Sequence, residues 1–274
     1  MEATVREKGI QKMKLEVITQ EPETDAHSTP VLFLHAMFHG AWCWEQHFLP
    51  YFTQHGYVAH ALSLRGHCGS EGHERLRWAS VADYVSDLAQ VVNQLPTMPV
   101  LVGHSMGGLF IQKYLQSREA PAAVLMASVS PRGLLPATLR CFRLHPLVFM
   151  KANLTLSTYP VVGTPERYRE LFFCDIPEER LATYFAHVQE ESYRAYVEMI
   201  LAGLRPPAPI TDTPLLVLGA ADDAAISPSE VEATARRHNT QAELFPNMGH
   251  AMMLESGWQA VADRILGWLS ELGL

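Results

Sequence analysis

The stretch Val100-Leu101-Val102-Gly103-His104-Ser105-Met106-Gly107-Gly108-Leu109-Phe110-Ile111 decides the fold. Its first three residues form an apolar run suited to a strand buried on both faces. From Met106 to Gln116 apolar residues recur at helical spacing, so a helix is expected to open immediately after Ser105. The serine therefore sits on a tight strand-to-helix turn. Gly103 and Gly107 suit that turn, because a Cβ at either position would strike the neighbouring strand or helix. The helix that follows aims its free N–H groups and positive dipole end at the site where an oxyanion would form. A serine hydroxyl is a poor nucleophile alone and needs a base, itself oriented by an acid.

Working outward, the apolar runs 31–34, 58–64, 100–102, 122–127 and 215–218 read as strands buried on both faces. The more alternating stretch 13–18 suits a half-exposed edge strand, and 242–245 a final one. Segments 81–95, 106–116, 229–238 and 258–269 carry helix-period apolar residues. This alternation specifies an α/β fold, a mostly parallel central sheet flanked by helices. It breaks between 131 and 209, where no buried strand is evident. There 165–173 and 177–201 read as helical, each opened by a proline suited to a first turn. The exit Arg205-Pro206-Pro207-Ala208-Pro209 is stiff. The expected organisation is a core domain of 1–130 and 210–274, with 131–209 inserted as a helical cap.

The chain resembles the α/β-hydrolase fold superfamily over nearly its whole length. Gly103-His104-Ser105-Met106-Gly107-Gly108 is similar to its nucleophile elbow, and Asn247-Met248-Gly249-His250 to its histidine loop. In that family the acid and then the histidine follow the serine, which implies His250 as the base. His238 also lies in the right stretch, but it ends a charged helix beside Arg236 and Arg237 and reads as solvated. For the acid, the strand at 215–218 runs into Asp222-Asp223. Asp223 is favoured over Asp222 because Ala225 and Ile226 then follow it in the family's usual register. The other aspartate is expected to cap the next helix or bond the loop backbone.

The segment His35-Ala36-Met37-Phe38-His39-Gly40-Ala41-Trp42-Cys43-Trp44 is similar to the H-G-x-x-H-G-A-W-x-W stretch of the methyl esterase and hydroxynitrile lyase branch. That resemblance implies an oxyanion hole built from the backbone N–H groups of Met37 and Met106. Ala36 stands where the family usually has glycine. Lyases of the branch commonly carry a hydroxyl residue there and a lysine near the histidine loop, and neither is present. Arg65-Gly66-His67-Cys68-Gly69-Ser70-Glu71-Gly72 is similar to the R-G-H-G-x-S-x-G loop of many superfamily members and reads as a supporting turn, with Cys68 in place of a glycine.

These residues point to a serine hydrolase of carboxylesterase or lipase type, cleaving an apolar carboxylic ester or thioester through an acyl-enzyme. The alternatives are an acyltransferase, a carbon–carbon hydrolase or lyase with the same triad, or a ligand-binding receptor on a hydrolase fold. Phe38, Trp42, Met248 and Met252 are expected to contact the substrate. The cap residues Leu144, Leu147, Met150, Phe172, Phe173 and Tyr184 carry more apolar surface than free-standing helices can bury. The insertion is therefore expected to follow the sixth strand and cover the carboxyl ends of the sheet.

Composition excludes other classes. The 274 residues suffice for one α/β domain with an insertion or for two small domains. With 48% hydrophobic and 18% charged residues the chain is not a disordered one, and no apolar run spans a bilayer. The formal charge is 21 − 29 = −8 with scattered cations, which argues against nucleic acid and anionic membranes as partners. Cys43, Cys68, Cys141 and Cys174 form no C-x-x-C pair and read as reduced thiols. His35, His39, His60, His67 and His73 lack metal-site spacing and read as structural, and His104 as packing beneath the elbow. No cofactor or metal is implied, and no pattern specifies an oligomeric state. Met1 to Lys14 has no apolar core of a secretion signal, so a cytoplasmic location is expected.

Overall fold

Seven strands form one sheet in a computed structural model that describes residues 13–23, 26–130, 132–202, 209–210 and 212–274. They are β1 (Glu16–Gln20), β2 (Val31–Leu34), β3 (Ala59–Ser63), β4 (Val100–His104), β5 (Ala123–Met126), β6 (Leu215–Ala220) and β7 (Ala242–Phe245). The order across the sheet is β1-β3-β2-β4-β5-β6-β7; β1 runs antiparallel to β3, and every other pairing is parallel. β2 to β5 are wholly buried, whereas β1 and β7 at the edges are half-exposed; the half-exposed edge strand expected at 13–18 is β1, which lies further along, at 16–20.

Period-2 geometry sends alternate side chains to two cores. Val31, Phe33, Val100, Val102 and Val124 pack on one face, against Trp44, Phe48, Phe52 and Ile265. Leu32, Leu34, Leu101 and Leu125 pack on the other, against Tyr84, Leu88, Phe110 and Ile111. The helices that cover these faces are α1 (Trp42–Glu45), α2 (Phe48–Gln54), α3 (Val81–Val92), α4 (Met106–Tyr114), α10 (Pro228–Arg237) and α11 (Trp258–Glu271). Ser80 and Asp83 close a capping box on α3, and Ser227 and Glu230 another on α10.

Between β5 and β6 lie α5 (Leu135–Leu144), α6 (Pro146–Thr155), α7 (Pro165–Phe172), α8 (Glu178–Phe185) and α9 (Tyr193–Leu201). Among the described residues this segment follows the fifth strand rather than the sixth. Three details of the helical reading change. The expected helix over 177–201 is two helices, broken at 186–192. Pro177 is the N-cap of α8, not its first turn, whereas Pro165 does occupy the first turn of α7 behind its cap Thr164. The exit residues 205–208 and the N-terminal residues 1–12 lie outside the described residues.

The break at 186–192 has a physical cause, because its residues bond to the core rather than to one another. Gln189 N–H donates to Phe38 O over 3.1 Å, and its Oε1 accepts from Cys68 N–H over 3.0 Å. Glu191 is 1% exposed and accepts from Tyr84 OH at 2.7 Å and from His67 Nε2 at 3.1 Å. His67 Nδ1 also donates, to Arg65 O. Burial opposes charge on His67, but Glu191 and the backbone carbonyls of Arg65 and Leu64 together outweigh it and hold the pKa above the ordinary value. The 65–72 turn is thus a clasp between sheet and insertion, and Arg65 anchors it to Asp83 and Asp87.

Candidate active site

Ser105 begins where β4 ends, with φ 53° and ψ −113°. That backbone is strained for a side chain with a Cβ and persists only where surroundings over-determine it. Here Ser105 N–H donates to Met126 O over 2.9 Å, and Ser105 O accepts from Val129 N–H over 3.0 Å, so β5 and the chain after it clamp the turn. A Cβ on Gly103 would lie 2.7 Å from the backbone of Gly107 and Gly108. One on Gly107 would lie 2.7 Å from Leu34 O. The two glycines therefore separate the elbow from its helix and from β2, respectively.

The sheet order reverses at β2, with β3 on one side and β4 on the other. Loops leaving such a switch point diverge and open a crevice at the carboxyl ends of the strands. Met37 follows β2 and Ser105 follows β4, so both border that crevice. Met106 is the first residue of α4, and its N–H has no acceptor within the helix. The peptide that carries Met37 N–H is held from its other end: His35 Nε2 accepts from Leu64 N–H at 3.1 Å, which leaves the proton on Nδ1 to donate to Ala36 O at 2.7 Å. A trans peptide points its N–H opposite its carbonyl, so His35 sets the direction of Met37 N–H.

His250 and Asp223 meet in the loops after β7 and β6. His250 Nδ1 donates to Asp223 Oδ2 over 2.7 Å, with the two side chains 2% and 0% exposed. Asp223 Oδ1 accepts from Ala225 and Ile226 N–H, each at 2.7 Å. A carboxylate oxygen only accepts, so the proton sits on Nδ1 and Nε2 keeps its lone pair. Asp222 is exposed and makes no side-chain hydrogen bond among the described residues; the helix cap it was offered is filled by Ser227 and Glu230, and the loop backbone is bonded by Asp223 itself. Ser105 Oγ is not hydrogen-bonded to His250. Such bonds are often long in an empty site and tighten on complex formation. The link between the two loops runs through the neighbour of Ser105: His104 Nε2 donates to His250 O over 2.7 Å.

Two further histidines are buried beside this pair. His39 Nδ1 donates to Met37 O over 2.9 Å, and Nε2 accepts from Tyr168 OH over 2.7 Å. Burial pushes its pKa down to about 3, and the facing His250 adds to the effect. Burial and His250 likewise hold His104 well below the ordinary histidine value. Both stay neutral. His238 is not solvated as its sequence neighbours suggest; its Nε2 lies 3.1 Å from Gln112 Oε1, and burial lowers its pKa to about 4.

A cavity of about 160 Å³ leads to Ser105, bordered by Met37, Phe38, Ala225 and Ile226 from the sheet side and by Leu134, Val148, Val161 and Leu171 from the segment between β5 and β6. Its charged residues are each engaged: Arg140 with Glu230 at 2.7 Å, His145 with Glu170 at 3.1 Å, and Arg167 with the backbone O of Pro160 at 3.1 Å. The surface left for a ligand is apolar. Of the side chains expected to contact substrate, only Phe38 lines the cavity. Trp42 stacks on His187 and lies tilted against His39, while Met248 and Met252 are packed in the core.

The inserted helices reach the histidine loop as well. Ala251 N–H donates to Phe172 O over 2.8 Å, and the Phe172 ring lies 5.4 Å from that of His250. Glu255, 1% exposed, accepts from Gly249 N–H at 2.9 Å and from Cys174 N–H at 2.5 Å. Neither Glu255 nor the bond from His104 to His250 was legible beforehand, because both depend on backbone groups brought together from distant parts of the chain.

Residues 31–264 match the model of the alpha/beta hydrolase family. No curated protein matches the chain by sequence. Among solved structures, an esterase from Exiguobacterium antarcticum is similar at 18% identity and TM-score 0.72, over 95% of this chain and 97% of that one. A monoacylglycerol lipase from Paleococcus ferrophilus is similar at 17% identity and TM-score 0.71, over 95% and 100% of the two chains. A bromoperoxidase from Bacillus anthracis is similar at 16% identity and TM-score 0.68, over 93% and 96%. At these identities the likeness is one of fold.

Proposed function

The chain belongs to the alpha/beta hydrolase family, and from that premise we propose that it is a serine hydrolase acting on an apolar carboxylic ester or thioester. The observation that carries this reading is the buried 2.7 Å bond between His250 and Asp223, at the same end of the sheet as the strained Ser105. The apolar cavity that reaches Ser105 supports the substrate class.

In this reading His250 Nε2 takes the proton of Ser105 Oγ as that oxygen attacks the carbonyl carbon. The tetrahedral oxyanion is held by the N–H groups of Met37 and Met106, donors fixed before charge develops. Collapse breaks the bond to the leaving alcohol or thiol, which receives the proton from His250. Water then enters, gives a proton to the same nitrogen and attacks the acyl group on Ser105. The acid is released and Ser105 Oγ regains its proton. Asp223 keeps the imidazole in the required tautomer and stabilises its cation.

The inserted helices act as a cap over the crevice, limiting water around the acyl-enzyme. Turnover of a panel of p-nitrophenyl esters tests the proposal. The wild-type chain is expected to hydrolyse them and Ser105→Ala to lose activity by orders of magnitude at unchanged melting temperature. Equal rates in the two proteins contradict the assignment.

A further inference from the structure

α6 is apolar on almost every side, reading Pro146-Leu147-Val148-Phe149-Met150-Lys151-Ala152-Asn153-Leu154-Thr155, yet only Val148 and Ala152 are buried. A helix of that pattern is ordinarily covered all round. Instead Leu147 is 76% exposed and Leu154 81%, and Leu144 and Phe142 of α5 extend the same surface at 70% and 47%. Leu147 and Met150, read from sequence as residues that cover the sheet, are exposed instead, and Leu144 is exposed over most of its surface. Contiguous apolar surface of this kind marks an interaction site.

The charges on this surface select the occupant. Residues 120–165 contain no Asp or Glu, but they contain Arg132, Arg140, Arg143 and Lys151, in a chain whose net charge is −8. Arg140 is paired with Glu230. Arg143 and Lys151 are exposed, and no ion pair among the described residues uses them. The net charge alone argues against an anionic surface, but its distribution is uneven, and this stretch carries cations without a carboxylate of its own. A second copy of the chain is a poorer fit, since a twofold contact through this face brings Arg143 and Lys151 of the two copies together, and the nearby carboxylate of Glu170 is already engaged by His145.

We propose that the α5–α6 face docks on a lipid surface bearing anionic headgroups, with Leu147, Met150 and Leu154 entering the acyl boundary and Arg143 and Lys151 meeting the phosphates. Leu144 also lines the cavity that reaches Ser105. An apolar molecule leaving the lipid would therefore pass to the serine along continuous apolar surface. That delivery role rests on the proposed hydrolase activity; the docking does not.

Cosedimentation of the full chain with vesicles of phosphatidylcholine, alone or mixed with phosphatidylglycerol, tests the proposal, alongside turnover of a water-soluble short-chain ester. The wild-type chain is expected to bind the mixed vesicles and to bind phosphatidylcholine more weakly. Leu147→Asp with Leu154→Asp should abolish binding to both. Arg143→Glu with Lys151→Glu should weaken binding to the mixed vesicles about tenfold or more and leave phosphatidylcholine binding unchanged. All these residues are exposed and outside the cavity lining, so both variants should keep the soluble-ester rate. Vesicle binding without ester turnover in the wild type leaves docking intact and removes the hydrolase reading. Failure of the wild type to bind either vesicle overturns docking, as does undiminished binding by the variants. A wild-type dimer that the aspartate variant disperses, in a chain that ignores vesicles, assigns the face to a second copy and also overturns it.

Discussion

Asp223 divides its carboxylate between two tasks: Oδ2 accepts from His250 Nδ1 at 2.7 Å, and Oδ1 accepts from the backbone of Ala225 and Ile226. Asp223→Asn can keep the second task while placing an amide opposite Nδ1, which favours the tautomer whose Nε2 is already protonated. Ester turnover in this variant is expected to fall by roughly 10⁴-fold with little change in melting temperature. Asp222→Asn, at the exposed neighbour, should behave as wild type. Equal losses in the two variants would contradict the pairing.

His35 touches no substrate in this account and acts through the Ala36–Met37 peptide. His35→Phe removes the donor to Ala36 O and frees the Met37 N–H to turn away from the developing oxyanion. A drop in kcat of about tenfold or more, with KM nearly constant, is expected, because the affected hydrogen bond matters most in the transition state. A change confined to KM would place His35 in ground-state binding instead.

Gly103 and Gly107 face backbone at 2.7 Å, which cannot yield as a flexible side chain can. Gly103→Ala and Gly107→Ala should each destabilise the chain by about 1–3 kcal/mol or more in urea unfolding. Gly267, whose Cβ would meet nothing within 4 Å, provides the control: Gly267→Ala within α11 should be neutral or stabilising. Unchanged unfolding midpoints for the first two would remove the steric account of the elbow.

The reading of the sequence was strongest where local pattern and chemistry coincide. Short apolar runs became β2, β4 and β5 nearly residue for residue, because strands buried on both faces leave an unbroken apolar signature. Ser105 and Asp223 could be nominated as site residues because each follows such a strand, and His250 because it lies in the loop after the final strand, β7. Trp42, Met248 and Met252 were misread as substrate contacts, since an apolar side chain near a site in sequence carries no mark of whether it faces the cavity or the core. The break between α8 and α9 was hidden for a related reason: the bonds of Gln189 and Glu191 to Phe38, Cys68, His67 and Tyr84 join residues more than a hundred positions apart.

Acid stability follows from the buried neutral histidines. His39 titrates at about 3 when folded, against an ordinary value near 6.5, so between these values the unfolded chain binds more protons than the native one. Its contribution is fully present above about pH 6.5 and is lost progressively as pH falls toward 3. His35 and His104 are lowered by burial in the same direction, whereas His67, raised by Glu191, contributes most below about pH 6.5 and loses that contribution as pH rises through its folded value. His39→Gln should flatten the pH dependence of unfolding free energy by up to about 1.4 kcal/mol per pH unit between roughly pH 4 and 6. An unaltered slope in urea titrations across that range would show that His39 does not remain neutral.

Nucleophile competence is the centre of the account, and it is measured most directly by covalent labelling with a fluorophosphonate followed by peptide mass spectrometry. One adduct per chain on Ser105 is predicted, absent in Ser105→Ala and strongly slowed in His250→Ala. A native, folded chain that takes up no label, or that carries it on another residue, would contradict the assignment of Ser105 as the nucleophile.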